Sequence, residues 1–511
     1  MKRRKEQLSL RFLGTMAGMA LMLVLSGCGG GGGGGGGSGG SGSSTSGSGG
    51  GGSSTTSSLS ALGWGSATPL ASVDASTDNI FTVAANINTT GTAAVVWGDN
   101  PDPGTVVDED LYANVYQNGA WGTPFQFPEV ETNQASVAVT PAGDAMVVYI
   151  YTYWGTTTSG AASSSVVYSR FYDHGTNTWS TTPTLIAGSA TTGTEEEDPV
   201  AVSDSNGNVM AVWDTGTQVY ASYYDATSGT WSPPAQLSNS PDLVYTPTLV
   251  VGGNNVFTAA WIQDSSVYTG SNRVNNPEPY ASQVVSGLST WSTPSYIGVN
   301  LSTLANNQGA QALYAAANGL GDVFEVWEQQ SNNTSNVAQT SVDAAQFNPA
   351  NQTWSTTPTS IAANTSDDYS WPEVAVDGTG NAMAVWTLNS IATGNGVAQS
   401  ASYTASAGSW GNAQEIDQGN GDDVENVIVG MDSSGNAEAI WNDTTTGTTI
   451  EHHYDATGGA GWGTSFNVLS PTARSPILSM SSTGYAVLLG ESETYTTVPF
   501  LDNAWAYILT P

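Results

Sequence analysis

Apolar residues recur along this chain in short extended runs whose two alternating faces are both apolar. In the segment DGTGNAMAVW (377–386), alternate residues from Ala382 to Trp386 point one way along a strand, and Met383 and Val385 point the other way. A polar turn that contains glycine precedes the apolar letters, as at the turn of a β-hairpin. A strand that is apolar on both faces is typical of a sheet packed between two neighbours.

This first phrase occurs eight times in register. Its other copies are NTTGTAAVVW (88–97), TPAGDAMVVY (140–149), DSNGNVMAVW (204–213), GGNNVFTAAW (252–261), NGLGDVFEVW (318–327), DSSGNAEAIW (432–441) and SSTGYAVLLG (481–490). The tenth letter is Trp in six copies, Tyr149 in one and Gly490 in the last. A second phrase, such as YDATSGTWS (224–232), alternates with it, and its tryptophans lie 43 to 63 residues apart.

Each pair of phrases supplies four strands, which predicts an all-β fold. Eight repeats of this size predict a β-propeller of four-stranded blades. We expect eight blades, with seven as the alternative because the last copy is degenerate. An extra copy of the tail of the second phrase, GWGSATPLA, begins at Gly63 and predicts that N-terminal residues complete the last blade. No helical periodicity follows the N-terminal region.

The second phrase carries a resemblance to known repeats. YDHGTNTW (172–179) and YDATSGTW (224–231) resemble the turn between strands 3 and 4 of kelch repeats, and also the Asp-box turn of sialidases. The first phrase is similar to repeats in poorly characterised exported bacterial propellers. The resemblance covers about residues 63–511 and implies the propeller fold. It implies no particular activity, because propellers host many unrelated functions.

The N-terminus predicts export and lipid anchoring. Residues 1–27 combine a basic start with a short apolar run, as a signal peptide does. The letters LSGC, which end at Cys28, resemble the bacterial lipobox, which implies cleavage before Cys28 and lipidation of its sulfur. Gly29, which follows, implies sorting to the outer membrane by the same resemblance. The alternative is an ordinary signal peptide.

Three segments follow from this reading. Residues 1–27 are the signal peptide, residues 28–60 are the lipidated cysteine with a tether rich in Gly, Ser and Thr, and residues 61–511 are the propeller domain. A flexible tether of this length reaches roughly 30 Å. Cys28 is the only cysteine, so the chain forms no internal disulfide.

The charge of the chain limits its partners. The formal net charge is −35, and five of the eight basic residues lie within residues 1–11. Only Arg170, Arg273 and Arg474 remain further along the chain. Nucleic acid is excluded as a partner, because phosphate binding requires clustered Lys and Arg. We expect a monomer bound to the membrane through Cys28, with a glycan or an envelope protein as its partner.

Two loops carry aromatic residues that the repeat does not explain. The loops between strands 2 and 3, and those between blades, share one face of a propeller, and their lengths vary most here. The candidate ligand-binding residues in these loops are Tyr151, Tyr153, Trp154, Tyr369 and Trp371. Exposed aromatic rings stack on the apolar faces of sugars. The alternative is that these rings cap a blade edge or plug the central channel.

Acidic runs gather in the same loops. Carboxylate oxygens are the ligands that Ca²⁺ prefers, and the candidate ligands are Asp108, Asp110, Glu195, Glu197, Asp422 and Asp423. No D-x-D-x-D-G loop is present, so the alternative is a solvated anionic rim. No other cofactor is expected.

No set of catalytic residues stands out in the sequence. The three arginines lie in separate contexts, and the adjacent His452 and His453 point to opposite faces of a strand. The sequence therefore favours a surface-tethered lipoprotein whose propeller binds a glycan or a protein on its loop face without catalysis. The alternatives are a carbohydrate-active enzyme, a glycoside hydrolase or lyase that uses loop carboxylates, and an envelope scaffold protein.

Overall fold

The chain forms eight small antiparallel sheets, which are the blades of a β-propeller. The computed structural model describes residues 63–74, 79–100, 110–128, 134–153, 164–188, 195–238, 243–264, 267–269, 272–274, 277–287, 289–298, 309–332, 338–364, 367–390, 394–417, 419, 423–456, 461–494 and 501–511. All of them belong to one compact unit, Thr56–Pro511. None of the described residues form a helix long and apolar enough to span a bilayer.

The strands of the first four blades follow one another along the chain. Strand β1 (Thr68–Asp74) comes first and belongs to the last blade. Blade 1 contains β2 (Asn79–Ile87), β3 (Ala93–Asn100), β4 (Asp110–Gln117), β5 (Ala120–Trp121) and β6 (Phe125–Phe127). Blade 2 contains β7 (Ala135–Val139), β8 (Ala145–Tyr153), β9 (Ser164–Asp173), β10 (Thr178–Trp179) and β11 (Thr184–Gly188). Blade 3 contains β12 (Glu197–Ser203), β13 (Val209–Asp214), β14 (Val219–Asp225), β15 (Thr230–Trp231) and β16 (Ala235–Gln236). Blade 4 contains β17 (Val244–Gly252), β18 (Val256–Asp264), the small hairpin β19 (Val267–Thr269) and β20 (Asn272–Val274), β21 (Pro277–Val285) and β22 (Ser295–Tyr296).

The last four blades repeat the same order. Blade 5 contains β23 (Gly309–Ala317), β24 (Val323–Asn332), β25 (Ala338–Asn348), β26 (Thr353–Trp354) and β27 (Thr359–Asn364). Blade 6 contains β28 (Asp367–Val376), β29 (Ala382–Ser390), β30 (Gly396–Thr404), β31 (Ser409–Trp410) and β32 (Gln414–Glu415). Blade 7 contains β33 (Val424–Met431), β34 (Ala437–Asp443), β35 (Thr448–Asp455) and β36 (Gly461–Leu469). Blade 8 contains β37 (Arg474–Met480), β38 (Ala486–Thr494), β39 (Leu501–Leu509) and β1.

The ring closes through the N-terminal strand. The innermost strands contact one another in sequence from β2 to β37, and β37 contacts β2 again. Strand β1 pairs with β39 and supplies the outermost strand of blade 8. Trp64 forms an isolated bridge with Leu509, and the backbone N–H of Thr510 donates to Gly63 O at 3.1 Å. The predictions of eight blades and of N-terminal closure are both confirmed.

The core consists of eight apolar clusters, and each cluster fills one interface between neighbouring blades. Ala382, Ala384 and Trp386 of blade 6 pack against blade 5. Met383 and Val385, on the other face of the same strand, pack against blade 7. The two-faced pattern of the first phrase is therefore confirmed, and its tenth residue lies between its own blade and the preceding one.

The last blade departs from this rule at Gly490. A Cβ atom at Gly490 would lie 2.2 Å from the Cβ atom of Ala473, so Ala473 fills the space that a tryptophan occupies in other blades. The cluster between blades 7 and 8 accordingly contains Trp64 and Tyr507 as its large aromatic side chains.

The polar letters of the first phrase hold the turns together. Asp377 Oδ1 accepts hydrogen bonds from the backbone N–H groups of Thr379 and Asn381. The Asn381 amide donates to Asp377 Oδ2 at 2.7 Å, and its Oδ1 accepts from the N–H of Ala405 in the second turn of the blade. The backbone N–H of Gly378 donates to Ser433 O in the next blade. One short phrase thus connects both turns of its blade and the adjoining blade.

A second hydrogen bond recurs in five blades. The side chain at one position of the third strand donates it to the carbonyl oxygen of the residue that follows the second-phrase tryptophan. Five residues of four types do this, namely Asn114, Arg170, Ser222, Ser282 and His452. Arg170 and His452 are both buried, so these two residues belong to the scaffold.

We expect the interface tryptophans to dominate the stability of the fold. Trp386 is fully buried and Trp410, in the same blade, is partly exposed. Trp386→Ala should lower the free energy of unfolding by about 3–5 kcal/mol, because it removes apolar contacts and leaves a cavity. Trp410→Ala is the matched control and should cost less. Urea denaturation measures both, and equal losses would contradict the assignment of the core.

Ring closure gives a separate expectation. Removal of residues 1–75 deletes Trp64 and β1, which leaves the edge of β39 unpaired and one face of blade 8 uncovered. This truncation should lower the melting temperature or prevent folding. Removal of residues 1–60 retains both features and should leave the melting temperature unchanged. Identical melting curves for the two truncations would show that closure does not depend on β1.

Candidate functional site

The two ends of the propeller differ in what they carry. In every blade the hairpin turns between strands 1 and 2 and between strands 3 and 4 lie at one end, which we call the turn face. The segments between strands 2 and 3, and the links to the next blade, lie at the other end, which we call the loop face. The described members of the predicted acidic runs all lie at strand ends on the loop face, as expected.

A ring of bulges surrounds the central channel at the loop face. In six innermost strands the register shifts near the start of the strand. Each of these bulges contains a non-glycine residue with positive φ, and these residues are Asp198, Thr246, Ala312, Trp371, Asn426 and Ser475. The residue that follows each of them is buried. Bulges concentrate beside functional sites because they redirect side chains.

Trp371 is the largest residue in this ring. Its φ of 52° is strained for a bulky side chain, and its ring is partly exposed. The sequence placed Trp371 and Tyr369 in a loop between blades, whereas the structure places both in β28. Tyr369 is buried and its ring packs edge-on against Trp386. Tyr369 therefore contributes to the core, and only Trp371 of this pair is partly exposed.

The other predicted aromatic group lies on the opposite side of the ring. Tyr151 and Tyr153 are partly exposed and pack edge to face, with ring centroids 4.5 Å apart. The hydroxyls of Tyr153 and Tyr168 lie 3.5 Å apart. These residues belong to blade 2 and Trp371 belongs to blade 6, so three blades lie between them in either direction and they do not share one site. Trp154 lies outside the described residues.

A carboxyl group that the sequence analysis did not single out lies on β24, the strand of blade 5 that contacts β28. Glu328 follows Trp327 in β24, is paired across the ladder with Gln311, and is partly exposed. Burial raises the pKa of Glu328 to about 7, and the nearby charge of Asp368 raises it further. Its Oε1 accepts a hydrogen bond from Gln330 Nε2 at 3.2 Å. The sequence distinguishes Glu328 only as an acidic residue immediately after the interface tryptophan Trp327.

We call this region the blade 5–6 mouth and define it by Gln311, Glu328, Asp368 and Trp371. Strands β24 and β28, which carry three of these residues, contact each other. A carboxyl group that is half protonated near neutral pH can donate or accept a hydrogen bond, and Asp368, which is exposed, offers a second acceptor. Together with the partly exposed Trp371 on the same pair of strands, these groups are of the kinds that bind the hydroxyls and the apolar face of a sugar ring.

A second carboxyl group on the loop face is engaged within the protein. Glu196 is buried between blades 2 and 3, and Trp213 Nε1 donates to its Oε2 at 2.6 Å. Burial raises the pKa of Glu196 to about 7, and the Trp213 hydrogen bond opposes this shift. The Ser165 hydroxyl donates to Glu196 O at 2.9 Å. Glu196 therefore fixes the link between two blades.

The predicted calcium ligands are dispersed around the ring. Asp110 lies in blade 1, Glu195 and Glu197 lie at the start of blade 3, and Asp423 lies beside blade 7. Asp108 and Asp422 lie outside the described residues. Within the described part of the chain, no group of three or more His, Cys, Asp or Glu residues is placed to hold a metal ion. A calcium site in these loops stays a prediction.

A groove of about 410 Å³ lies on the rim where the ring closes. Tyr116 and Trp121 of blade 1 line one side, and Gly63, Gly65 and Thr510 line the other. No charged side chain lines it. Its second wall consists of the two ends of the propeller unit, so its shape depends on ring closure.

Among known proteins, similarity to this chain is found in solved structures. No protein-family model matches the chain, and no curated protein sequence matches it. An ulvan polysaccharide lyase bound to -[GlcA(1-4)Rha3S]- is 11% identical, with 86% of this chain and 93% of that chain covered and a TM-score of 0.44. The NanB sialidase from Streptococcus pneumoniae is 9% identical, with 86% and 93% covered and a TM-score of 0.37. The propeller domain of the Trilobed protease from Pyrococcus furiosus is 8% identical, with 77% and 96% covered and a TM-score of 0.41. None of these values assigns a function to this chain.

The strain at Trp371 can be measured. An L-residue in the left-handed region costs about 1–2 kcal/mol, and glycine avoids most of this cost. Trp371→Gly should therefore be more stable than Trp371→Ala by about 1 kcal/mol, although both remove the indole. Ser370→Gly, which changes a neighbour without positive φ, should instead lose stability relative to Ser370→Ala. Chemical denaturation of the four variants compares them, and a Trp371→Gly variant less stable than Trp371→Ala would refute the strain.

Proposed function

We propose that this protein is a lipid-anchored, exported binding protein whose propeller holds a neutral or amino-bearing glycan at the blade 5–6 mouth. The observation that carries this proposal is the partly exposed, left-handed Trp371 on β28, the strand that carries Asp368 and contacts the strand of Glu328. An indole supplies the stacking surface, and the carboxyl groups supply hydrogen bonds to hydroxyl or ammonium groups. The net charge of −35 disfavours anionic glycans.

Anchoring rests on the N-terminal letters. The LSGC sequence that ends at Cys28 supports lipidation, and the segment 29–60 supports a flexible tether. We propose attachment to the cell envelope, at the outer membrane where the cell has one, and a monomeric body. Metabolic labelling with a fatty acid should mark the protein, and Cys28→Ser should abolish the label. Unchanged labelling of Cys28→Ser would refute the anchor.

Glycan binding has a direct test. The body, residues 59–511, should bind at least one neutral or amino-bearing envelope polysaccharide in a glycan array or by calorimetry. Trp371→Ala should weaken that binding at least about tenfold, because stacking on one ring contributes on the order of 1.4 kcal/mol or more. Trp410→Ala is the matched control, since Trp410 belongs to the same blade but lies on the turn face. Binding that Trp371→Ala leaves unchanged would remove the site from this mouth.

A protein ligand is the other outcome of that test. If the body binds no glycan but retains an envelope protein through the same mouth, Trp371→Ala should release that protein and Trp410→Ala should not. Such a result would favour an envelope scaffold over a glycan-binding protein.

Glu328 gives one reason to keep an enzymatic alternative. A carboxyl group with a pKa of about 7 beside a second carboxylate is the arrangement from which general acid and base pairs are built. If the protein cleaves an oligosaccharide, Glu328→Gln should abolish turnover and retain binding. Turnover that persists in Glu328→Gln and in Asp368→Asn would place any catalysis elsewhere.

A further inference from the structure

Blade 7 carries carboxyl side chains at two positions where the other blades carry none. Glu438 is the seventh residue of its first phrase, and the equivalent residues are Ala94, Met146, Met210, Thr258, Phe324, Met383 and Val487. Glu451 lies opposite Ile440 in the ladder, and its equivalents are Ala113, Ser169, Ala221, Ala281, Ala344, Ser400 and Ala506. The repeat therefore does not require a carboxyl group at either place.

Both side chains are enclosed between blades 7 and 8. Glu438 is 3% exposed and Glu451 is 0% exposed. Ile440, which lies on the same face of β34 as Glu438, packs against Leu488 of blade 8. The register sets Glu438 diagonally across the ladder from Glu451, a separation that two long side chains can bridge. The two carboxyl groups therefore lie close enough to interact with each other.

The surrounding polar groups of the protein provide hydrogen-bond partners for only two of the four carboxyl oxygens of Glu438 and Glu451. His453 Nδ1 lies 2.8 Å from Glu438 Oε1, and the Asn467 amide donates to Glu451 Oε2. The other two oxygens, Glu438 Oε2 and Glu451 Oε1, are buried and accept no hydrogen bond from an N–H or O–H group of the described residues. A proton on one of the two carboxyl groups supplies the donor that both lack.

The titration of the pair follows from its burial. Burial raises the pKa of Glu451 to about 9, and the hydrogen bond and charge of Glu438 add to the shift. Burial raises the pKa of Glu438 to about 7, the hydrogen bond from Glu451 opposes the shift, and the charge of Asp432 adds to it. The other titratable groups close to the pair are His453 on β35 and Tyr507 on the facing strand β39, whose hydroxyl donates to Pro471 O.

The direction of the pH effect is fixed by these shifts. Both folded-state pKa values lie above the unfolded value of about 4.5, so the folded state binds more protons than the unfolded state between that pH and about pH 9. The stability that the pair contributes is therefore complete at acidic pH and is lost as the pH rises. When both groups ionise, two like charges remain in an apolar interface.

We propose that the Glu438–Glu451 pair is a pH-sensitive latch, which holds blades 7 and 8 together while it shares a proton and loosens their interface when both carboxyl groups ionise. Blade 8 is the blade that β1 completes, so the latch lies one interface away from the closure of the ring. The inference is independent of any ligand at the blade 5–6 mouth.

Blade 3 provides the template for a test in the full-length protein. The double variant Glu438→Met with Glu451→Ala gives blade 7 the residues that Met210 and Ala221 supply in blade 3. The hydrogen-exchange rates of the β39 backbone amides are measured at about pH 5 and about pH 9. Each rate is corrected for the intrinsic exchange rate at that pH and is then compared with the rate of β14 in blade 3, which serves as the internal reference. In the wild-type protein the relative protection of β39 should fall about tenfold or more, and in the double variant it should stay constant.

Two further variants keep the test decisive. Glu325→Gln removes a buried carboxyl between blades 4 and 5 and should leave the change at β39 intact. Glu451→Gln keeps the size of the side chain and donates an amide hydrogen to Glu438. It should remove the infrared band of a protonated carboxyl that titrates near pH 9, and it should confine the pH dependence to the range near pH 7 in which Glu438 alone titrates. An equal pH response at β39 in the wild type and in both latch variants, or a carboxyl band that survives Glu451→Gln, would overturn the proposal.

Discussion

The second strand of every blade is largely apolar and is buried on both faces, and this one property dictates the architecture. Such a strand has no side to expose, so each blade needs a neighbour on its left and another on its right. A row of blades would leave two faces open, and only a closed ring covers all of them. In this protein a shared blade closes the ring, with β1 and β39 coming from opposite ends of the propeller unit.

Ring closure also explains why some positions of the repeat keep one residue type and other positions vary. The tenth residue of the first phrase fills an interface, and the aspartate and asparagine at its start connect two turns and two blades. The recurring hydrogen bond to the carbonyl oxygen after the second-phrase tryptophan requires only a side-chain donor, so serine, asparagine, arginine and histidine can all form it. The buried Arg170 and His452 are therefore explained by their role in the scaffold.

Much of the fold was predictable because it depends on local periodicity. The two-residue alternation around Met383 assigned each side chain to the correct interface, and the extra tail at Gly63 predicted closure. The bulges were not predictable in this way. A register shift breaks the alternation, so Tyr369 and Trp371 fell in a predicted loop although they belong to a strand.

The candidate site was predictable only in part, for a related reason. Trp371 stood out because it does not fit the repeat, but its distance from Tyr153 depends on the position of each blade around the ring. Glu328 and Glu438 follow the strand pattern and differ from it only in chemistry. Their importance becomes visible when burial shifts their pKa values, which no spacing in the sequence reports.

Under the proposed attachment through Cys28, the seam where β1 pairs with β39 has a mechanical consequence. Force that reaches the propeller along the axis of β1 enters at Gly63, which is bonded to Thr510 beside the bridge between Trp64 and Leu509. The antiparallel ladder between β1 and β39 then bears the load in shear, with its hydrogen bonds sharing the force instead of breaking one after another. The strand that closes the ring is thus also the strand through which tension is transmitted.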